Sequence, residues 1–329
     1  MHFKDTFKQQ LVQLQARDFE KAALQAFRYQ AQENPVYRSY LEYLSVDPTK
    51  VSAVERIPFL PIEFFKTQTI KSGTFAPVST FTSSGTTGSV TSRHLVADME
   101  FYRQISTHIF EAFYGNLSEF TLLALLPSYL ERTGSSLIYM IEHFLSKTQK
   151  DSGFYLHNKK ELIDKIKNLQ KAGKKVLLFG VTFALLELAE EFPIDLEGVV
   201  VMETGGMKGR RKEMTRTEVH QFLKSRWAVK QIHSEYGMTE LLSQFYSKGE
   251  EIFEGPAWTK ILLRDVNDPF DIGLKHKNGG INIIDLANID SCCFLETKDL
   301  GELVGSQGQF KVIGRFDNSD LRGCNLLVQ

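Results

Sequence analysis

Between residues 80 and 254 short apolar runs alternate with amphipathic helical stretches, and this alternation restricts the chain to a sheet covered by helices. Runs at 121–126, 176–179, 198–202 and 229–232 have strand length. Between them, 137–145, 161–169 and 210–223 repeat apolar residues at a spacing near 3.6, and Phe101, Ile105, Ile109 and Phe113 add a further helix. The flanks differ. Phe3, Phe7, Leu11 and Leu14 share one helical face, and Ala22, Ala23, Ala26 and Phe27 continue the stripe up to Asn34-Pro35. There the proline disfavours helix in the residue before it. The run Ile57-Pro58-Phe59-Leu60-Pro61-Ile62 reads as an extended connection. After Gly255 the runs turn β-type, at 261–263, 281–284, 292–295 and 310–313.

The expected fold class is α/β with a β-rich C-terminal part. With 42% apolar and 12% aromatic residues among 329, a large core is within reach. Lys and Arg (39) balance Asp and Glu (40), which argues against nucleic acid or an anionic membrane as the main partner. Cys292, Cys293 and Cys324 form neither a disulfide framework nor a zinc spacing, so a reducing compartment fits. Residues 1–10 lack a signal-peptide core, and no apolar run is long enough to span a bilayer. The expectation is a soluble cytoplasmic protein.

Thr82-Ser83-Ser84-Gly85-Thr86-Thr87-Gly88 is rich in hydroxyls and glycine, as suits a loop that wraps phosphates with its N–H and O–H groups. The same composition also suits an ordinary polar turn. Ser234-Glu235-Tyr236-Gly237-Met238-Thr239-Glu240 follows the run at 229–232; it can stack a base, touch a phosphate and hold Mg²⁺, or it can begin a helix with Thr239 and Glu240 capping it. Glu203-Thr204-Gly205-Gly206 would admit a flat ligand against the backbone, or is a simple turn. In Glu296-Thr297-Lys298-Asp299-Leu300-Gly301 and Ile313-Gly314-Arg315-Phe316-Asp317, Asp299 can accept two ribose hydroxyls and Arg315 supplies a charge.

Taken in order, these motifs resemble the acyl-adenylate-forming superfamily of acyl-CoA synthetases, adenylation domains and luciferases. The resemblance implies that Ser83, Ser84, Gly85, Thr86, Thr87 and Gly88 cradle ATP phosphates, with Gly205, Gly206, Tyr236 and Gly237 around the nucleotide and Tyr236 against adenine. It also implies that Thr239 touches the α-phosphate, Glu240 binds Mg²⁺, Asp299 holds the ribose and Arg315 lies beside it. The loop departs from the common pattern, continuing Ser89-Val90-Thr91-Ser92-Arg93-His94 without the Pro-Lys ending. The sequence stops at Gln329, just past the hinge motif, so the mobile C-terminal domain with its catalytic lysine is expected to be absent.

With Leu126-Pro127-Ser128-Tyr129-Leu130-Glu131-Arg132-Thr133-Gly134 and the ending Leu321-Arg322-Gly323-Cys324, the short form is similar to the LuxE family of acyl-protein synthetases. That resemblance implies activation of a fatty acid with ATP, transfer to Cys324 as a thioester, and a reductase protein as partner. Arg315 and Arg322 nearby would lower the pKa of Cys324. Cys292 and Cys293 are expected to pack, and His108 and His143 to be structural. Residues 127–130 and 179–183 are expected at an acyl pocket, with His233 a weaker candidate. The expected organisation is a helical segment over 1–79, an α/β nucleotide-binding core over 80–254, a β-rich subdomain over 255–313 and a tail over 314–329 carrying Cys324. Two other readings remain at this stage: a minimal acyl-CoA or aryl-CoA ligase, and a non-catalytic nucleotide-binding subunit.

Overall fold

The strand-length runs assemble, in a computed structural model, into a parallel sheet flanked by helices and a second, antiparallel sheet. The structure describes residues 3–83, 90–127, 133–156, 158–205, 214–273, 275–305 and 308–316. In chain order, α1 (Phe3–Leu11), α2 (Phe19–Glu33) and α3 (Pro35–Tyr43) precede β1 (Leu60–Pro61) and α4 (Phe64–Thr67). A hairpin, β2 (Ser79–Thr82) and β3 (Arg93–Val96), leads to α5 (Met99–Tyr114). Then follow β4 (Phe120–Leu125), α6 (Ser136–Lys147), β5 (Gly153–Tyr155), α7 (Lys159–Lys171), β6 (Lys175–Val181), α8 (Thr182–Glu191), β7 (Val200–Thr204) and α9 (Arg216–Trp227). The chain continues through β8 (His233–Tyr236), β9 (Phe245–Ser247), β10 (Thr259–Arg264), β11 (Asn278–Asp285), β12 (Phe294–Val304) and β13 (Gln309–Arg315).

Among the described residues β5-β4-β6-β7-β8-β9 form one sheet, parallel except for β9. Every residue of β4 is buried, as expected of a parallel strand covered on both faces. Helices α5 and α6 pack on it through Phe110, whose ring lies 5.7 Å from Phe120 and 5.2 Å from Phe144. The second sheet runs β1-β12-β11-β10, with β13 also on β12. Cys292 and Cys293 pack fully buried just ahead of β12, and burial pushes the Cys292 thiol up to about 12. No helix among the described residues is long and apolar enough to cross a membrane.

Three local expectations need correction. The strand expected at 229–232 lies at β8, although its residues are polar, because each of Ser234, Glu235 and Tyr236 finds a partner from another segment. Asn34-Pro35 is a junction as well as a stop: the Asn34 side chain accepts from Tyr37 N at 3.0 Å, and Pro35 opens α3 at a position where no N–H is needed. The extended connection is also more than a linker, since β1 pairs in parallel with β12, Leu60 opposite Leu295.

The N-terminal helices hold the turn Leu286–Asp290. Gln30 donates to the carbonyls of Asn288 (3.0 Å) and Ile289 (3.1 Å) and accepts from Cys293 N at 2.8 Å. Lys4 and Lys8 both pair with Asp290. Asn288, in the same turn, donates to the carbonyl of Glu240 at 2.8 Å. The helical segment thereby supports a residue some two hundred positions further along the chain.

Candidate active site

Tyr236 ends β8, and its hydroxyl donates to Asp299 Oδ2 at 2.6 Å. Asp299 on β12 stands opposite Arg315 on β13, whose Nε lies 3.6 Å from Asp299 Oδ1. Burial, and then the adjacent Asp299 carboxylate, push the Tyr236 hydroxyl well up, so it stays a donor. The Tyr236 ring lies 6.0 Å from Phe245, 5.8 Å from Phe253 and 5.9 Å from Phe310. An aromatic side chain thus abuts a carboxylate flanked by a guanidinium.

Just past Tyr236 the chain does not enter a helix; Leu241 N bonds to Met238 O at 3.1 Å and closes a turn that carries Thr239 and Glu240. The turn is fixed from behind. Buried Asp285 accepts from Leu242 N (3.1 Å), Ser243 N (2.9 Å) and Ser243 Oγ (2.7 Å). From the hairpin, His94 Nδ1 meets the Thr239 carbonyl at 2.8 Å. Burial pushes that imidazole down to about 4, so it is neutral, and a carbonyl partner requires the proton on Nδ1.

Burial also raises the Glu240 carboxyl, opposed by a hydrogen bond from Ser92 and by the charges of Arg315 and Lys66. Ser92 closes the base of the hydroxyl-rich loop: Ser83 N donates to Ser92 O at 3.1 Å, and Ser92 N to Ser83 Oγ at 2.9 Å. The near end of that loop, the Glu240 turn and the Tyr236–Asp299–Arg315 corner therefore share one region. Ser84, Gly85, Thr86, Thr87, Gly88, Gly206 and Cys324 lie outside the described residues. Gly205 directly follows β7 at φ 73°, a conformation glycine adopts freely. Gly237 has a packing reason of its own: a Cβ there would sit 2.5 Å from Glu235 Oε1.

Two buried carboxylates escaped the motif reading. Glu203 accepts from Thr182 Oγ1 at 2.8 Å and pairs with Arg216 at 3.0 Å; burial alone would raise it, but Arg216, His220 and Ser234 bring it down to about 2. One strand over, Glu235 accepts from Thr204 Oγ1, and burial pushes its carboxyl up to about 7. The only signal in the sequence was their position, Glu203 directly after the run at 198–202 and Glu235 three residues past the run at 229–232. Of the expected pocket residues, Pro127 and Phe183 border a cleft of about 490 Å³ with Leu156, Lys159 and Glu187. His233 instead lies 3.3 Å from the Tyr114 hydroxyl, and burial pushes it down to about 4.

The Glu235 shift has a measurable consequence. Its folded value of about 7 lies above the ordinary 4.5, so the folded state holds the proton more tightly. The resulting stabilisation is complete below about pH 4.5 and is lost as pH rises through 7. Glu235→Gln, which cannot ionise, is expected to gain stability relative to wild type by between about 2 and 3 kcal/mol from pH 5 to pH 8. Urea unfolding at both pH values measures this; a constant difference would mean that Glu235 is ionised throughout.

Solved structures share this architecture. A 2-hydroxyisobutyryl-CoA ligase in complex with 2-HIB-AMP and CoA is similar with a TM-score of 0.63 at 14% identity, covering 93% of this chain and 70% of that one. An ATP-bound RpMatB-BxBclM chimera reaches 0.54 at 13% identity (75% and 50% covered), and apo MatB from Rhodopseudomonas palustris 0.52 at 13% (75% and 51%). The chain thus spans about half the length of the two MatB-type structures, and at these identities the likeness shows the fold. No curated protein matches the sequence. The sequence profile of the family described as acyl-protein synthetase, LuxE, matches residues 11–329, and the chain therefore belongs to the LuxE acyl-protein synthetase family.

Proposed function

We propose that the protein is an ATP-dependent acyl-protein synthetase that activates a fatty acid as acyl-AMP and transfers the acyl group to its own Cys324, for delivery to a reductase partner in a reducing, cytoplasmic setting. The observation that carries the reading is the Tyr236–Asp299–Arg315 corner beside the Glu240 turn. Tyr236 would lie against adenine, Asp299 would accept the ribose hydroxyls, and Thr239 with residues 83–88 would contact the phosphates.

A fatty-acid carboxylate is a poor acyl donor, because oxide is a poor leaving group. Attack of its oxygen on the α-phosphorus breaks the bond to the β-phosphate oxygen and releases pyrophosphate, which needs positioning and charge neutralisation more than covalent help. The Cys324 thiolate then attacks the acyl carbon, and AMP departs with the electron pair. Mg²⁺ fits the donor set: no three His, Cys, Asp or Glu side chains cluster as a metal site among the described residues, whereas one carboxylate plus phosphates and water suits this ion. Glu240 would hold it, and the bound ion would offset polyphosphate charge.

Exchange of labelled pyrophosphate into ATP tests the first half-reaction. The wild type is expected to catalyse exchange only with both a fatty acid and Mg²⁺ present. Exchange absent across a series of chain lengths would remove the adenylation reading.

A further inference from the structure

The Tyr236–Asp299–Arg315 corner is assembled from two sheets. Tyr236 ends β8 of the parallel sheet, whereas Asp299 and Arg315 face each other on β12 and β13 of the antiparallel one. Its geometry therefore depends on what joins β13 to the parallel sheet. The backbone makes one join: Glu254 pairs with Tyr246 on β9, and the adjacent Phe253 pairs with Phe310 on β13, N to O at 2.7 and 3.1 Å. A buried ion pair that the adenylation chemistry does not use makes another, nearer to Arg315.

Arg216 opens α9, where Thr215 and Glu218 cap each other: Thr215 N donates to Glu218 Oε2 at 2.7 Å, and Glu218 N to Thr215 Oγ1 at 3.2 Å. One turn on, His220 Nε2 lies 3.2 Å from Ser234 Oγ on β8, so this face of α9 is seated on the sheet. From that fixed start the Arg216 guanidinium meets three elements. Its Nε lies 3.0 Å from Glu203 Oε1 on β7, and only 2% of the Glu203 side chain is exposed. Its Nη1 donates to the Val312 carbonyl on β13 at 3.4 Å, three residues before Arg315. It also lies over the Phe253 ring, 5.0 Å from the centroid, and that ring is 5.8 Å from Tyr236. A lysine could balance the charge of Glu203, but a compact ammonium cannot meet a carboxylate, a carbonyl and a ring face together as a planar fork does.

We infer that Arg216 is a positioning residue for ATP. It ties the Arg315 end of β13, and the ring packed against Tyr236, to the carboxyl end of β7, and so sets the spacing at which the corner receives adenosine. The inference rests on the reading proposed above that this corner binds adenosine. Arg216 touches no reacting atom, so its effect falls on the affinity for ATP and leaves that for the fatty acid unchanged.

Pyrophosphate exchange with ATP and fatty acid varied separately tests it, with urea unfolding in parallel. Arg216→Lys keeps Glu203 paired but loses the reach to Val312 and the flat contact on Phe253. It is expected to raise KM for ATP about tenfold, as for loss of one hydrogen bond and its packing, with KM for the fatty acid and the unfolding midpoint close to wild type. The double variant Glu203→Gln, Arg216→Met removes both charges, leaves none buried alone, and should raise KM for ATP at least as far; it decides the matter if Arg216→Lys does not fold. KM for ATP within about twofold of wild type in the folded variants would overturn the inference and leave the adenylation reading standing, since Arg216 would then only balance Glu203. Equal rises in both KM values, or loss of folding in both variants, would also overturn it, because the pair would then support the fold as a whole. An inactive wild type would remove the adenylation reading and this inference together.

Discussion

Glu240→Gln is expected to reduce Mg²⁺-dependent pyrophosphate exchange by at least about 10²-fold while the protein remains folded. The amide keeps the size of the side chain and an acceptor for Ser92 but loses the charge that would hold the ion. Stability should not fall, because burial already makes the charged carboxylate unfavourable at this position. The turn itself is held by Asp285, Asn288 and His94, none of which bonds to the carboxylate. Exchange kinetics across a Mg²⁺ titration, with circular dichroism as the control for folding, give the answer. Wild-type rates in the variant would take Glu240 out of the site.

The second large effect concerns the acceptor. Incubated with MgATP and a fatty acid, the wild type is expected to gain one acyl group by intact mass, and neutral hydroxylamine should remove it as it removes a thioester. Cys324→Ala should lose the adduct entirely yet keep pyrophosphate exchange, because the thiol enters only after the adenylate has formed. The other two cysteines serve as internal controls. Cys292 and Cys293 are fully buried with raised thiol pKa values, so they should not acylate, and their replacement by alanine should cost stability alone. Acylation of Cys324→Ala at wild-type stoichiometry, or CoA as the only thiol ever acylated, would replace the acyl-protein synthetase reading with a minimal ligase.

The linear chain already carried the alternation behind the covered sheet, because strand and helix periodicities are local properties of side-chain spacing. Motif order likewise pointed to the family to which the chain belongs. Boundaries were less legible where polar residues build the sheet. In β8 the sequence His-Ser-Glu-Tyr lacks an apolar run, and only its partners on α9, β7 and β12 make burial affordable.

What the sequence by itself determined is therefore which residue types stand next to one another: the hydroxyl-rich loop, Tyr236 four residues ahead of Glu240, Asp299 on a β-run. Only the tertiary structure decided which of them meet. Tyr236 and Asp299 share a proton donor and acceptor across 63 positions, His94 holds a carbonyl 145 positions away, and Gln30 grips the turn whose Asn288 supports Glu240. Such contacts follow from strand pairing and helix docking, which bring distant segments together only once the apolar surfaces between them are buried, and no local periodicity records them.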